Sequence, residues 1–414
     1  MNRPAMRIAL VAGEDPGWGG IGTYTGELAG ALAAEGQHVE LVLRGWEEDT
    51  IEDLDGLTVH RVTVPPPVWR RGTVALLSRA YTARESLVFS ARVAQRLARL
   101  HRARRLEVVE APEFHAPGLV ASLGAHALRV AGRAPLVVAR LHGPGFLTAR
   151  LAGAPRTADA RMLETLERAA VHSARLVTSP SAAMLAEVTA RWGGPLRSTE
   201  IVPNPIDTQR YAPSAVAPDR AMLLIVGRIE RAKGQDVAVE ALPSIRRAVP
   251  GAQLLLVGAD SDLAAGGGSA LAALHRRAAE LGMPEDALEA IGAVERSELP
   301  ALYARASACL VPSRFEAFGY TCLEAMACGR PVIASAAGGL NEIVTSGHDG
   351  LLTPPGDAGA LARAAVRLLV DPDLSRRLGD SARATVVERF AAPVIAGRMS
   401  ALYTDAAAAA RADR

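Results

Sequence analysis

Short runs of branched and aliphatic residues alternate along this chain with longer stretches rich in Ala, Leu and Arg, whose apolar positions recur at helical spacing. Strands are predicted at residues 7–13 (RIALVAG), 38–44 (HVELVLR), 57–64 (LTVHRVTV), 106–112 (LEVVEAP), 136–142 (LVVARLH) and 175–180 (RLVTSP), with helices between most of them. A Pro- and Ala-rich interval at 211–219 (YAPSAVAPD) reads as a linker. The alternation restarts at 222–229 (MLLIVGRI) and continues through 253–260 (QLLLVGAD), 288–294 (LEAIGAV), 307–313 (SACLVPS) and 331–339 (PVIASAAGG). Apolar strands separated by helices belong to parallel sheets covered on both faces. The pattern therefore predicts two doubly wound α/β domains, residues 1–207 and 221–390, joined by a linker at 208–220, with a C-terminal helical tail at 391–414 packing back on the first domain. Their C-terminal strand ends are expected to face each other across a cleft, where open α/β sheets bind ligands.

The length, 414 residues, fits two domains, and 49% hydrophobic against 22% charged residues is enough apolar material for sizeable cores. The formal charge is only +2, and no basic stretch is interleaved with stacking aromatics, so nucleic acid is set aside as a partner. Three cysteines, Cys309, Cys322 and Cys328, are too few for a disulfide framework and lack the spacing of a zinc site, which points to a reducing compartment and no metal. The N-terminal apolar run is short and no run of eighteen apolar residues occurs, so a cytoplasmic location is expected.

The basic residues change this picture in two places. Of the 46, a single one is lysine, Lys233, and lysine and arginine are not interchangeable at a compact phosphate contact. Residues 69–105 hold ten arginines against one acid, Glu85, and within them Phe89, Val93, Leu97 and Leu100 recur at helical spacing beside Arg92, Arg96 and Arg99. A solvated helix face is the preferred reading of this basic flank. Peripheral contact with an anionic membrane or a phosphorylated acceptor is the alternative.

Three motifs carry candidate chemistry. Gly17, Gly19, Gly20 and Gly22 form a turn after the first strand, leading into a helix from about Thr23, where backbone N–H groups can approach a phosphate; a plain structural turn has the same composition. In GRIERAKG (227–234), Arg228 and Lys233 lie five apart across a strand-to-helix turn and can converge on one diphosphate, against the reading as solvated charges. RFEAFGYTCLE (314–324) places Glu316 in a loop and Glu324 in the following helix, one able to hold sugar hydroxyls and the other a ribose diol, with the N–H groups of Phe318 and Gly319 at the helix start. His142, in LHGPG, reads either as a structural histidine or as a hydrogen-bonding imidazole at the cleft mouth; Glu113 and His115, in APEFHAPG, are weaker acceptor-side candidates.

Strand–GRIERAKG–helix followed by RFEAFGYTCLEAMACGRPVIAS, with VPNPID between the halves and WGGIGTYTGELAGALAAEGQHVELV near the start, resembles the family-4 retaining glycosyltransferases of GT-B fold, from about residue 6 to 390. The resemblance implies two Rossmann-like domains facing across a cleft, with the acceptor mainly on the first and a nucleoside-diphosphate sugar mainly on the second. It implies hexosyl transfer with retention and no essential metal or cofactor. From the solvated reading of the basic flank, the acceptor is expected to be a small soluble molecule, with a membrane lipid as the alternative. Arg228 and Lys233 match the family's diphosphate pair, Glu316 its carboxylate beside the donor sugar, and Glu324 its ribose carboxylate. Gly19 and Gly20 fall on its phosphate-side loop and His142 on its cleft-facing histidine. Two departures stand out: Pro205 follows Asn204 where the family often has glycine, and after QLLLVG the chain reads ADSDLAAGGGS where the family commonly has a Gly-Pro-type turn. Asp260 and Asp262 there form a D-x-D read as a loop acid pair rather than as ligands of a metal-bridged diphosphate. The competing classes are a nucleotide-sugar epimerase or hydrolase of the same fold, and a hinged sugar- or nucleotide-binding protein without turnover.

Overall fold

The computed structural model describes residues 5–64, 81–128, 134–194, 196–219, 221–261 and 268–412. It separates into two compact units, Met1–Pro205 with Ala392–Arg414, and Ile206–Ala391.

The first unit holds β1 (Arg7–Ala12), β2 (His38–Gly45), β3 (Thr50–Leu54), β4 (Leu57–Thr63), β5 (Val108–Pro112), β6 (Leu136–Arg140), β7 (Leu176–Ser179) and β8 (Thr199–Ile201) in one sheet of order β3-β4-β2-β1-β5-β6-β7-β8. Every pairing is parallel except β3 with β4. The second unit is all parallel, with β9 (Met222–Val226), β10 (Gln253–Val257), β11 (Leu288–Ala290), β12 (Ala308–Val311), β13 (Val332–Ser335) and β14 (Leu351–Thr353) in the order β11-β10-β9-β12-β13-β14. The interior strands are buried almost end to end, which explains their unbroken apolar runs. This is the doubly wound α/β architecture read from the sequence. The strand order reverses between β1 and β5 in one unit and between β9 and β12 in the other, and loops leaving those strand ends are where such sheets bind ligands.

Seven helices matter below: α1 (Gly19–Ala34), α2 (Tyr81–Arg104), α3 (Gly145–Ala152), α4 (Ala158–Ser173), α5 (Gln235–Ala248), α6 (Tyr320–Ala327) and α7 (Ala392–Ala412). The apolar stripe of α2 is buried as its spacing requires, with Phe89, Val93, Leu97 and Leu100 in the core against Ala9, Val11 and Val109. Its basic flank is only partly solvated. Arg92 donates to Asp49 at 2.9 Å and Arg96 lies 3.5 Å from the same carboxylate, while Arg99 is exposed. The rest of the basic stretch, 69–80, lies outside the described residues. α7 belongs to the first unit, where the Tyr403 hydroxyl donates to Glu110 on β5 at 2.8 Å.

Two expectations are corrected. The interval at 208–220 is no free tether: Tyr211 is fully buried in the second unit's core, edge-on to Tyr303, and Arg383 donates to its carbonyl at 2.8 Å. A long aromatic inside a Pro/Ala-rich run is what anchors it. α1 begins at Gly19 rather than near Thr23, so Gly19, Gly20 and Gly22 form its first turn. Among the described residues no helix is long and apolar enough to cross a membrane.

Candidate functional site

In the second unit, β9 and β12 flank the reversal point and the loops after them hold the candidate residues Arg228, Lys233 and Glu316. The turn after β9 runs through a short 3-10 segment at Arg231–Lys233 and closes on Gly234, which is left-handed (φ 72°) and packed so tightly that a Cβ would lie 2.0 Å from the Pro312 carbonyl oxygen. Glycine there lets the two loops touch. The result is an ion pair between residues 83 apart in sequence: Lys233 Nζ donates to Glu316 Oε1 at 2.7 Å, and the Ser313 hydroxyl donates to the same oxygen at 2.8 Å. Arg314 braces the loop from outside through two bonds to Asp236, at 2.9 and 2.6 Å. The Glu316 backbone is clasped by the Gly338–Gly339 turn, with the Gly339 amide donating to its carbonyl at 2.8 Å.

Arg228 does not join this cluster; its guanidinium is 66% exposed and reaches Glu230 at 3.3 Å. Gly319 caps α6 with φ 120°, and Phe318 beside it is buried between Tyr320 and Phe390. Glu324 is inside α6 and buried, accepting from the Tyr303 hydroxyl at 2.8 Å and from Arg296 at 3.3 Å, while Arg296 also donates to the Tyr211 hydroxyl at 3.2 Å. Burial beside this carboxylate pushes the Tyr303 phenol well up, so it stays a donor at any working pH. Asp260 braces a helix start, accepting from the amides of Ser261 and Leu271 and the hydroxyl of Ser269 at 2.6–2.9 Å. Asp262 lies outside the described residues.

In the first unit the reversal point lies between β1 and β5. The glycine turn after β1 is already occupied by an acid: a Cβ on Gly19 would lie 2.4 Å from Glu14 Oε2, and the Gly22 amide points at the same oxygen at 3.4 Å. His142, just past β6, is half-buried, with its ring edge-on to Tyr24 at 4.9 Å. Burial, reinforced by the Arg140 guanidinium, drops its pKa well below the usual imidazole range, which favours the neutral ring. Arg140 is itself fully buried, stacked 4.6 Å above Tyr24, and holds Asn204 of the VPNPID run at 2.6 Å.

Glu113 turns its carboxylate onto backbone amides. It is fully buried, and its carboxylate accepts the amides of His142 at 2.8 and 2.9 Å and of Gly143 at 2.7 Å. His115 stacks on Phe114 at 4.2 Å in a left-handed conformation (φ 59°), with its amide bonded to Glu167 at 3.1 Å. A cavity of about 580 Å³ opens directly beyond the His142 loop, between Gly145, Phe146 and Arg150 on α3 and Leu163, Glu164 and Arg191. Sequence reasoning missed the supporting residues Tyr24, Arg140, Glu167, Arg296 and Tyr303. Only Arg140 carries a sequence signal, a charge at the end of an otherwise apolar strand.

Residues 208–385 match the family described as Glycosyl transferases group 1, and residues 19–205 match the Glycosyl transferase 4-like domain. A glycogen synthase of Mycobacterium tuberculosis is 31% identical over 411 residues, covering 96% of this chain and 94% of that protein. This chain is a GT-B glycosyltransferase of these families. The glycosyltransferase is also similar to a D-inositol 3-phosphate glycosyltransferase of Frankia alni, at 29% identity over 397 residues covering 89% of this chain and 91% of the relative. Among solved structures, a sucrose-phosphate synthase from Thermosynechococcus elongatus superposes with a TM-score of 0.73 at 26% identity, covering 98% of this chain and 100% of that one.

Proposed function

We propose that this glycosyltransferase moves a hexose from a nucleoside-diphosphate sugar to a small soluble acceptor, with retention at the anomeric carbon and without a metal ion. The observation that carries the reading is the Lys233–Glu316 pair at 2.7 Å, set at the reversal point of the second sheet. The sole lysine of the chain is thereby fixed in space, a compact cation whose carboxylate partner leaves two of its three N–H donors for phosphate oxygens.

In the proposed step the bond between the anomeric carbon and the diphosphate oxygen breaks, leaving negative charge on the nucleoside diphosphate and an oxocarbenium-like sugar. Lys233, with Arg228 swinging in from its exposed position, stabilises the departing charge, a fixed cation doing what a metal does elsewhere. Glu316 receives sugar hydroxyls while holding Lys233 in place. The acceptor oxygen bonds to the anomeric carbon on the face the phosphate leaves, and its proton passes to the departing phosphate oxygen. Glu324 holds the ribose diol once Arg296 yields one of its contacts. The neutral His142 ring hydrogen-bonds a donor hydroxyl, and the cavity beside α3 offers the acceptor a concave surface with Phe146 as an apolar wall. The names of the relatives span a polysaccharide and a phosphorylated inositol. On α2, Arg92 and Arg96 are already engaged by Asp49, which favours a soluble acceptor over an anionic lipid surface.

The test is transfer in excess chelator. Full turnover of a nucleotide sugar is expected there; loss of activity with recovery on adding manganese would reject metal independence and return attention to Asp260 and Asp262.

A further inference from the structure

Glu167 sits in the middle of α4, fully buried, and its two oxygens reach two different loops. Oε1 accepts the His115 amide at 3.1 Å and Oε2 the Gly145 amide at 2.9 Å. Beside it, Glu113 accepts the amides of His142 and Gly143. Four amides, from the loops that leave neighbouring strands β5 and β6, thus converge on two carboxylates. One of those loops is strained: His115 and Ala116 are both left-handed, at φ 59° and 50°, a conformation that costs a non-glycine residue on the order of 1 kcal/mol and persists only where its surroundings enforce it.

We propose that Glu113 and Glu167 are a proton-operated pair of positioning residues, which set the backbone of the His115 and His142 loops only when both are ionised. This rests on the reading that His142 meets the donor sugar. In Glu167 each oxygen faces one N–H, so a proton on either sets a donor against a donor and one bond is lost. In Glu113 the His142 amide spans both oxygens while Gly143 faces Oε1, so a proton on Oε2 removes one branch of the His142 bond and a proton on Oε1 opposes both amides. Burial pushes Glu113 up to about 7 against the pull of its amides. Burial, with the nearby Glu113 and Glu164 charges, takes Glu167 to about 8. The other ionisable groups around the pair do not confuse the window. Glu164 is paired with Arg191 and Arg156, Asp159 is held below the usual carboxylate range, the Arg140 guanidinium is engaged by Asn204 and Tyr24, and burial holds the rings of His115 and His142 below the ordinary imidazole value.

The signs give two opposite pH responses. The clamp closes as pH rises through the range from about 6 to 9. Stability moves the other way: carboxyl groups whose folded pKa lies above the unfolded value near 4.5 keep protons that the unfolded chain has released, so their contribution is fully present below that value and is lost as pH rises through about 7 to 8.

The experiment follows the amide resonances of His115, His142, Gly143 and Gly145 in the full chain by NMR from pH 5.5 to 9.5, alongside kcat for a turned-over donor. The expected result is two titration steps, with midpoints near 7 and 8, and a kcat that rises roughly tenfold across them while the donor KM holds. Glu113→Gln removes the step at Gly143 and leaves the one at Gly145; Glu167→Gln does the reverse. Amide shifts that stay flat in the wild type overturn the clamp, whatever the enzyme turns over and whether or not the variants fold. Shifts that titrate beside a pH-independent kcat overturn the link to His142 and leave glycosyl transfer standing.

Discussion

Replacing Gly338 with alanine perturbs Glu316 without touching its side chain. Gly338 is left-handed (φ 59°), and an added Cβ would lie 2.1 Å from the Glu316 carbonyl oxygen, 3.0 Å from its carbon and 3.1 Å from its nitrogen. The carbonyl must retreat by about 1 Å to restore an ordinary contact, and the Gly339 amide bond to that same oxygen is lost with it. A left-handed alanine costs about 1 kcal/mol, the lost hydrogen bond about 1, and the forced displacement about 1 to 3. The sum, roughly 4 kcal/mol, corresponds to a fall of roughly 10 °C in the melting of a unit this size. Glu316 moves away from Lys233 by a comparable distance, and a 1 Å misplacement of a working group costs on the order of 100-fold in kcat. Scanning calorimetry of the second unit's transition and steady-state kinetics test both numbers. A variant that melts within 1 °C of the wild type with unchanged kcat would refute the claim that this turn clasps Glu316.

Lys233→Ala should lower turnover by about 3 kcal/mol while changing stability by only about 1, because the pair is partly exposed; unchanged kinetics at saturating donor would remove Lys233 from the site. Lys233→Arg should also be impaired, since the longer planar fork cannot keep both Glu316 and a phosphate oxygen in reach. Glu324→Gln should mainly weaken nucleotide binding, and calorimetry showing equal nucleoside diphosphate affinity would contradict its ribose role. Replacing Arg92, Arg96 and Arg99 together with Gln should cost about 1 kcal/mol through the lost Asp49 pairs and leave anionic vesicle binding at background; salt-sensitive vesicle sedimentation that disappears in the triple variant would instead favour a lipid surface.

The sheets were legible because parallel strands buried on both faces leave uninterrupted apolar runs, as in MLLIV of β9 and ACLV of β12. The strands that escaped notice leave none: β3 reads TIEDL and is mostly exposed at the sheet edge, and β8 and β14 have three residues each. In the site, the lone lysine and the E-x7-E spacing led to Lys233 and Glu316, whose contact the structure supplies. The roles of Glu113 and Glu167 were illegible for a physical reason. Both serve backbone amides rather than side chains, and an amide carries no residue identity for a sequence to display. Glu324 lies between these cases: its helical position was readable, but Tyr303 and Arg296, which hold it, come from segments that folding alone brings near.

The central claim is glycosyl transfer from a nucleotide sugar at the Lys233–Glu316 site, and one measurement addresses it most directly. The purified chain is incubated in chelator with UDP-, GDP- and ADP-linked glucose and mannose and a panel of acceptors that includes myo-inositol phosphate and maltotriose, with Lys233→Ala in parallel. Nucleoside diphosphate release is recorded, and the product's anomeric configuration is read by NMR. The account predicts acceptor-dependent release with at least one donor, a product that keeps the donor's anomeric configuration, and loss of both in Lys233→Ala. Release that Lys233→Ala supports equally well, free or epimerised sugar in place of a glycoside, or an inverted product would contradict it.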